Sequence, residues 1–447
     1  MRILRFSLAM VLLASHLSPL YTQDKPVPPL SLTLRDAVRL ALAPQGNLDL
    51  DVADQSVAAA QARLGLSQAM SKPNVYFSFN AVDERLSLDA VGLQSINEPG
   101  LTFPRAVGPF DLLESRINIG QSLFDLESMH RKEAARSGIA AAQSGTEEVR
   151  DQITGRVARL YFQAQRDASA VETAQSLVVT AESTLKEIDN RNSQGQALGL
   201  DVSRARVEVA AAKQNLLRAQ LEKARTDIDL LNAMNRDLNT PLNLTDPLTF
   251  AAQDIPTADQ AVSKALESRS EILTLQKKLQ ATRLNDIAIH SERLPTLAGY
   301  ANVGSTGTSI PKSTGTYDVG VTLRIPIFDG GSRESQRAEM SAAARQQEVE
   351  LAKLRKQVAI EVREALLQMD LARGDVELSE TRYRAAQDEL EHRRRSNAQG
   401  IGSQMEVNGA QAELAKAADG RMAALQGWNL ARVDLLQSLG MIQTLAQ

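Results

Sequence analysis

The 447-residue sequence contains one pattern twice, and this duplication limits its possible folds more than any other feature. The segment GQALGLDV at residues 195–202 recurs as GIGSQMEV at residues 400–407, and each copy has an acidic residue six positions after its first glycine. Leu-Phe-Asp at residues 123–125 recurs as Ile-Phe-Asp at residues 327–329. These copies lie 204 or 205 residues apart and keep the same order, so the chain is predicted to contain one structural unit twice.

Each unit has the same succession of patterns: an opening helix, two strands, a very long helix, a turn and a shorter helix. Hydroxyl side chains suited to helix N-caps, Ser31 or Thr33 and then Thr257, begin the opening helices, which are predicted over residues 32–70 and 257–293. An export signal is predicted at residues 1–23 and a linker at 246–253. The first repeat is predicted at 24–245, with strands at about 74–86 and 113–124 and long helices at about 126–193 and 201–235. The second repeat is predicted at 254–447, with strands at about 296–305 and 316–328 and long helices at about 330–398 and 404–440.

The predicted strands alternate apolar and polar residues with a period of two, which is typical of strands with one apolar face. In the second repeat Asp318, Gly320 and Thr322 alternate with apolar residues such as Val319 and Val321, and the strands of the first repeat show the same alternation. The positions predicted to face lipid are Ile117, Ile119, Val319, Val321, Leu323 and Ile325.

The long helices carry apolar residues at spacings of three and four, which indicates a coiled-coil seam rather than the wider apolar face of a globular helix. One stripe begins at Ile153 and Val157, and a matching stripe begins 205 residues later at Val358 and Val362. A helix over residues 126–193 would be about 100 Å long. The chain is therefore predicted to be elongated.

Composition excludes several classes of protein. The chain has 50 Lys+Arg against 54 Asp+Glu, so no basic excess points to nucleic-acid binding. It has no cysteine for disulfides or thiolate chemistry, and its four histidines are scattered, so neither a metal site nor a cofactor is predicted. The sequence lacks a nucleophile-elbow motif, which would have indicated an enzyme. A basic start followed by a short apolar stretch predicts the export signal.

Four apolar-faced strands need an environment that suits them. In water their edges would pair with other chains and aggregate, whereas in an outer membrane alternating strands have one face toward lipid and one toward a lumen. Four strands are too few to close into a barrel, and the hydrocarbon region tolerates no open sheet edge. Three copies of the chain would supply twelve strands, which is within the range of such barrels.

These features resemble the TolC-like outer-membrane efflux channels over the whole mature chain. The resemblance implies a mixed fold of long helices and membrane strands, in which a homotrimer forms a twelve-stranded outer-membrane β-barrel that continues into a periplasmic α-helical barrel. It also implies an exit duct of a tripartite efflux or type I secretion system. The partners so implied are outer-membrane lipid, a periplasmic adaptor protein and an inner-membrane transporter.

In that family the turns between the long helices form the periplasmic end, where the adaptor docks and the pore closes. The residues that match these turns are Gly195, Gly199, Asp201, Val202, Gly400, Gly402, Glu406 and Val407. Six carboxylates from three copies would attract cations. The alternative is that Asp201 and Glu406 only complement the dipoles of their helices. Asn397, Gly402 and Gly409 differ from residues that close the pore in the family, and Arg393, Arg394 and Arg395 are possible substitutes.

A second hypothesis from another class is a periplasmic coiled-coil scaffold or adaptor whose strands form a small conventional sheet. An adaptor would be expected to show one helical hairpin and a lipoyl-like β segment rather than a duplicated unit. The uninterrupted apolar face of the strand pairs favours the channel.

Overall fold

The computed structural model describes residues 29–90, 92, 100, 103–251 and 256–446. The predicted export signal at residues 1–23 and residues 252 and 253 of the predicted linker lie outside the described residues. The helices are α1 Leu34–Leu42, α2 Leu48–Ala69, α3 Leu126–Ser193, α4 Gly199–Ala233, α5 Ala258–Ser268, α6 Ser270–Ser291, α7 Ser332–Ala398 and α8 Gln404–Ser438. The strands are β1 Leu30–Leu32, β2 Asn74–Ser87, β3 Ala106–Phe124, β4 Leu242–Leu244, β5 Thr296–Gly307 and β6 Thr314–Arg324.

The four long strands form one antiparallel sheet in the order β2-β3-β5-β6. The two repeats therefore each contribute one hairpin, and β3 pairs with β5 across the repeat boundary. The short strands β1 and β4 form a separate parallel pair. The sequence analysis did not predict this pair, because three residues are too few to show an alternating pattern.

Two strands differ from their predicted bounds. β6 ends at Arg324, so Ile325, which was predicted as a lipid-facing strand position, lies one residue beyond the strand. Arg324 pairs with Thr296 at the end of the ladder. Pro295 directly precedes Thr296 and Pro326 lies two residues after Arg324, and a proline has no backbone N–H with which to extend the pairing. β3 begins at Ala106 rather than near residue 113, because β2 continues to Ser87 and pairs with it there.

Each predicted opening helix is two helices. In the first repeat Pro44 and Gly46 separate α1 from α2, and a side chain at Gly46 would meet the Leu40 carbonyl oxygen at 2.1 Å. Thr33 rather than Ser31 caps α1, since its hydroxyl accepts from the Asp36 N–H while the Asp36 carboxylate accepts from Thr33. In the second repeat the extended backbone at Arg269 separates α5 from α6.

The long helices lie side by side in the same order as the strands. In the half of the molecule next to the sheet the order is α2-α3-α6-α7, because α3 packs against α2 and α6, and α6 packs against α7. In the far half α4 and α8 take the places of α2 and α6, which gives α4-α3-α8-α7. Only α3 and α7 run along both halves. One edge of the layer is therefore α2 and α4, and the other edge is α7.

A polar cluster centred on Arg269 connects the two repeats. The Arg269 guanidinium donates to both oxygens of Glu271, at 3.1 and 2.9 Å, and to Glu361 of α7, and the residue is only 7% exposed. Beside it, Asp151 of α3 accepts from Ser270 at 2.8 Å and from Gln443 at 3.0 Å. The cluster therefore joins α3, α6, α7 and the short 3-10 turn at Ile442–Ala446.

Candidate functional site

One face of the long sheet is apolar across all four strands. Phe77 pairs with Ile117, Ile117 with Val303, and Val303 with Tyr317, so these side chains form one continuous row. The next row is Val75, Ile119, Ala301 and Val319. Val319, Val321 and Leu323 on β6 are 60–71% exposed, so none of the described residues covers them. This face is suited to contact with lipid tails.

The opposite face of the sheet is polar and connected by side-chain hydrogen bonds. Arg116 of β3 donates to Asn302 of β5 at 2.9 Å and also bonds Glu114 on its own strand. Asn118 of β3 donates to Ser78 of β2 at 3.0 Å. These bonds cross the sheet between neighbouring strands. The sheet is therefore amphipathic, with the polar side suited to water.

Both outer strands of the sheet lack a second neighbour among the described residues, since β2 pairs only with β3 and β6 only with β5. The helices at the two edges of the layer also carry apolar side chains that remain exposed in the part of the chain that the structure describes. On α7 these residues are Val349, Ile360, Leu367, Leu371 and Leu378; on α4 they are Val207, Leu217, Leu221 and Ile228; and on α2 they are Leu48, Val52 and Leu66. Strands and helices thus leave matching edges open on both sides.

The end of the layer remote from the sheet consists of two turns, residues 194–201 and 399–406, which we call the tip. Gly195 and Gly400 have φ of 71° and 74°, so each turn uses the left-handed conformation that glycine adopts without strain. In each turn the residue after the glycine donates back to the helix, Gln196 to the Arg191 carbonyl at 2.8 Å and Ile401 to the Ser396 carbonyl at 3.1 Å. The repeated sequence therefore folds into the same turn twice. Gly199 begins α4, and Gly402 donates to the Ser396 carbonyl at 3.2 Å.

The two acidic residues of the tip have different partners. The Asp201 carboxylate accepts from the Leu198 N–H at 3.2 Å and so caps the first turn of α4. On α8 a different capping bond is present, in which the Ser403 hydroxyl accepts from the Glu406 N–H at 3.2 Å. The Glu406 carboxylate instead accepts from the Arg393 guanidinium of α7, also at 3.2 Å. Asp201 thus has the capping geometry, whereas Glu406 has an ion-pair partner.

The tip valines point inward. Val202 and Val407 are each 6% exposed, and Val407 packs with Leu390 and Ala410 in a small apolar core between α7 and α8. These buried valines explain why both copies of the repeat carry a valine directly after the acidic residue.

A chain of polar side chains connects the two helical hairpins at the tip. Asn397 donates to Gln404 at 3.1 Å, Gln404 to Asn408 at 3.1 Å, and Asn408 to Thr184 of α3 at 3.0 Å. Asn408 is only 4% exposed, so its amide is held firmly between α8 and α3. Sequence reasoning did not single out Asn408 or Thr184. The only available signal was a polar residue, Asn408, directly after the buried Val407.

A groove of about 790 Å³ lies between α3, α4 and α8, next to the hydrogen-bonded side chains of Asn408 and Thr184. Small residues form much of its wall, including Ala205, Ala212 and Gly409, and Asp201, Arg204 and Lys416 also line it. Its small side chains would let another helix approach closely. None of the helices in the described part of the chain has the length and apolar character needed to span a membrane.

Comparisons with known proteins agree with this architecture. A family model described as outer membrane efflux protein matches residues 40–236 and 261–441. The outer membrane protein TolC of Vibrio cholerae is 24% identical over 252 residues, which are 54% of this chain and 57% of that protein. The probable efflux pump outer membrane protein TtgC of Pseudomonas putida is 23% identical over 321 residues, which are 70% of this chain and 63% of that protein. The chain thus spans less than two thirds of each of these relatives.

Solved structures share the fold. The Campylobacter jejuni CmeC outer membrane channel superimposes with a TM-score of 0.77 at 18% identity, over 91% of this chain and 85% of that one. The outer membrane protein VceC of Vibrio cholerae gives a TM-score of 0.72 at 16% identity, over 91% of this chain and 96% of that one. These similarities confirm the predicted fold class, which combines long helices with a membrane-type sheet.

Proposed function

We propose that this chain, which belongs to the outer membrane efflux protein family and is located in the outer membrane, forms a passive trimeric exit duct. In this proposal three sheets close into a twelve-stranded barrel in the membrane, and three helical layers close into a tunnel in the periplasm. An inner-membrane transporter and a periplasmic adaptor deliver substrates to the tip, as part of a tripartite efflux or type I secretion system.

The observation that carries the proposal is the open sheet. Four strands with one exposed apolar face and two unpaired edges are not a finished structure in water or in lipid. When three copies close into a barrel, β6 of each copy pairs with β2 of the next, so the backbone N–H and C=O groups of both edge strands gain partners. The apolar face then contacts lipid, and the Arg116 side of the sheet contacts water in the lumen.

The helical edges support the same closure. Because strands and helices have the same lateral order, the contact that joins β6 to β2 also brings α7 of one copy against α2 and α4 of the next. All three helices expose apolar residues on those edges, and Leu367, Leu371 and Leu378 recur on α7 at the spacing of a coiled-coil seam. Burial of these side chains would stabilise the trimer.

The tip suits the proposed adaptor contact. The turns around Gly195 and Gly400 lie at the end farthest from the sheet, and the groove beside Ala205 and Gly409 has the small side chains that close helix packing needs. The location in the outer membrane leaves the alternative of a periplasmic scaffold or adaptor without support.

Light scattering tests the proposal. In a mild detergent the protein is expected to have the mass of three chains after correction for bound detergent, because β-barrel and coiled-coil contacts both hold the trimer together. Heating should break these non-covalent contacts and dissociate the trimer. Conductance of the purified trimer in a planar bilayer is the accompanying functional measurement.

A monomeric mass in several mild detergents would contradict the barrel, because one chain contributes only four long strands to the sheet described here. A stable trimer that never conducts in bilayers would contradict the duct while leaving the assembly in place. The two measurements therefore test the assembly and the activity separately.

A further inference from the structure

We propose that Arg393 sets the ion selectivity of the tip by pairing with Glu406 and balancing its charge. This inference rests on the proposed duct, in which ions and substrates pass the tip. From the sequence alone, six carboxylates near the axis predict a cation-attracting ring. The contacts of the carboxylates point instead to a constriction whose charges are compensated within each copy.

The ion pair of Glu406 is the central observation. An Arg393 guanidinium nitrogen lies 3.2 Å from a Glu406 carboxylate oxygen, and a second nitrogen lies 3.5 Å from Glu389 on the same helix. Arg393 therefore sits between two carboxylates, one on α7 and one on α8. Both side chains of the tip pair are about half exposed, so the pair contributes little to stability, but its charges still cancel for any ion that passes.

The surrounding structure fixes the positions of both partners. Ser403 caps the turn that carries Glu406, and Val407, next in sequence, is buried against Leu390 of α7. The bond from Asn397 to Gln404 ties the end of α7 to the start of α8 a second time. The backbone positions of Arg393 and Glu406 are therefore held together even when their side chains move.

The other predicted member of the ring is also compensated. Asp201 accepts the Leu198 N–H and lies 3.8 Å from Arg204. Over residues 186–206 the chain has three acidic and four basic residues, and over residues 388–408 it has four acidic and three basic residues. These two segments together, which contain the tip and the helix ends beside it, are thus neutral, with His392 uncounted. At physiological salt, charges interact over about 8 Å, so nearby partners such as Arg393 decide the local potential.

Reversal potentials in a planar bilayer under a potassium chloride gradient test the inference. The wild-type trimer is expected to discriminate weakly between K⁺ and Cl⁻. Arg393→Gln should raise the K⁺/Cl⁻ permeability ratio by about threefold or more, because uncompensated carboxylates concentrate cations in a narrow site. The same variant should become sensitive to block by magnesium chloride added on the tip side.

Three further variants make the result specific. Arg395→Gln removes the same charge from the same turn, but the ion-pair partner of Arg395 among the described residues is Glu391 on α7, so it should leave selectivity unchanged. Arg393→Lys keeps the charge and should behave like wild type. Glu406→Gln leaves Arg393 with Glu389 as its remaining carboxylate partner and should shift the permeability ratio toward Cl⁻.

Equal selectivity of wild type and Arg393→Gln in conducting trimers would overturn the inference and leave the duct intact. An equal shift from Arg395→Gln would also overturn it, since the effect would then be one of net charge alone. Wild-type trimers that do not conduct would instead overturn the proposed duct and the inference with it. Circular dichroism and light scattering on each variant establish that folding and assembly are unchanged.

Discussion

Arginine at position 323 is expected to lower recovery of the trimer from outer membranes, whereas arginine at position 322 should be tolerated. Neighbouring residues on a strand point to opposite faces of the sheet. Leu323 lies on the apolar face, where it is 60% exposed, and Thr322 lies on the polar face. An arginine facing lipid costs about 2–4 kcal/mol at mid-depth and less toward the ends of a strand, and a trimer incurs that cost three times. Leu323 is the next-to-last residue of β6, so its cost lies below the mid-depth value.

The matched pair isolates the direction of the side chain, because Leu323→Arg and Thr322→Arg introduce the same residue one position apart on β6. A second pair, Val321→Asp and Thr322→Asp, should show the same contrast with a smaller effect, since aspartate is less costly in lipid. The yield of detergent-extracted trimer is the measurement. Equal yields at positions 321, 322 and 323 would mean that the assignment of lipid and lumen faces is wrong.

Removal of the guanidinium at position 269 is expected to lower the free energy of unfolding by about 3 kcal/mol, the range for breaking one partner of a buried ion pair. Arg269→Met keeps much of the side-chain volume but leaves Glu271 and Glu361 without their shared cation. Glu148 and Asp151 lie close by, and burial raises the pKa of both, which shows how poorly the site accommodates ionised carboxylates. The measurement is the temperature at which the detergent-solubilised trimer loses its helical signal.

The contribution of Glu271 to the stability of the fold is expected to depend on pH. Burial alone would raise the pKa of Glu271, but its hydrogen bonds from Arg269 hold that pKa below its usual 4.5. Stability from this group is therefore present above pH 4.5 in wild type and is lost as the pH falls through the lower, folded pKa. In Arg269→Met a backbone hydrogen bond alone opposes the effect of burial, so ionised Glu271 is less favourable at neutral pH and its protonation relieves the cost.

The difference in stability between wild type and Arg269→Met should consequently shrink as the pH is lowered from about 7 to about 5. Arg395→Met is the matched control, because Arg395 and Glu391 are both 67% exposed and such pairs contribute between about 0 and 1 kcal/mol. A deficit that stays constant over this pH range would mean that lost packing, and not the unpaired carboxylates, causes the destabilisation.

The sequence contained most of the information about the fold because the duplication and the periodicity are both strong. Alternation from Val319 to Leu323 placed one face of β6 correctly with respect to the sheet. It could not locate the end of the strand, because Ile325 continues the alternation although Pro326 cannot join the ladder. Periodicity also ran through the breaks at Gly46 and Arg269, where only local geometry separates the helices.

Much less of the candidate site could be read from the sequence. The glycines of the tip were recognisable because the turns occur twice in the chain. The partners of Asp201 and Glu406 were not, since a carboxylate early in a helix predicts a cap equally well in both repeats. The partner of the Glu406 carboxylate, Arg393, lies on another helix, and no local pattern of residues predicts that contact.

The core of the first repeat has a consequence for how the protein is made. Leu32 and Val38 are packed in one core with Val433 and Ile442, which follow about 400 positions later. An outer-membrane protein crosses the inner membrane before it assembles, and residues near its start then wait for their packing partners. Folding of the first half therefore completes only after nearly the whole chain has been exported. A chain that ends before Ile442 would lack part of this core, so the core of the first repeat can pack fully only when synthesis of the chain is nearly complete.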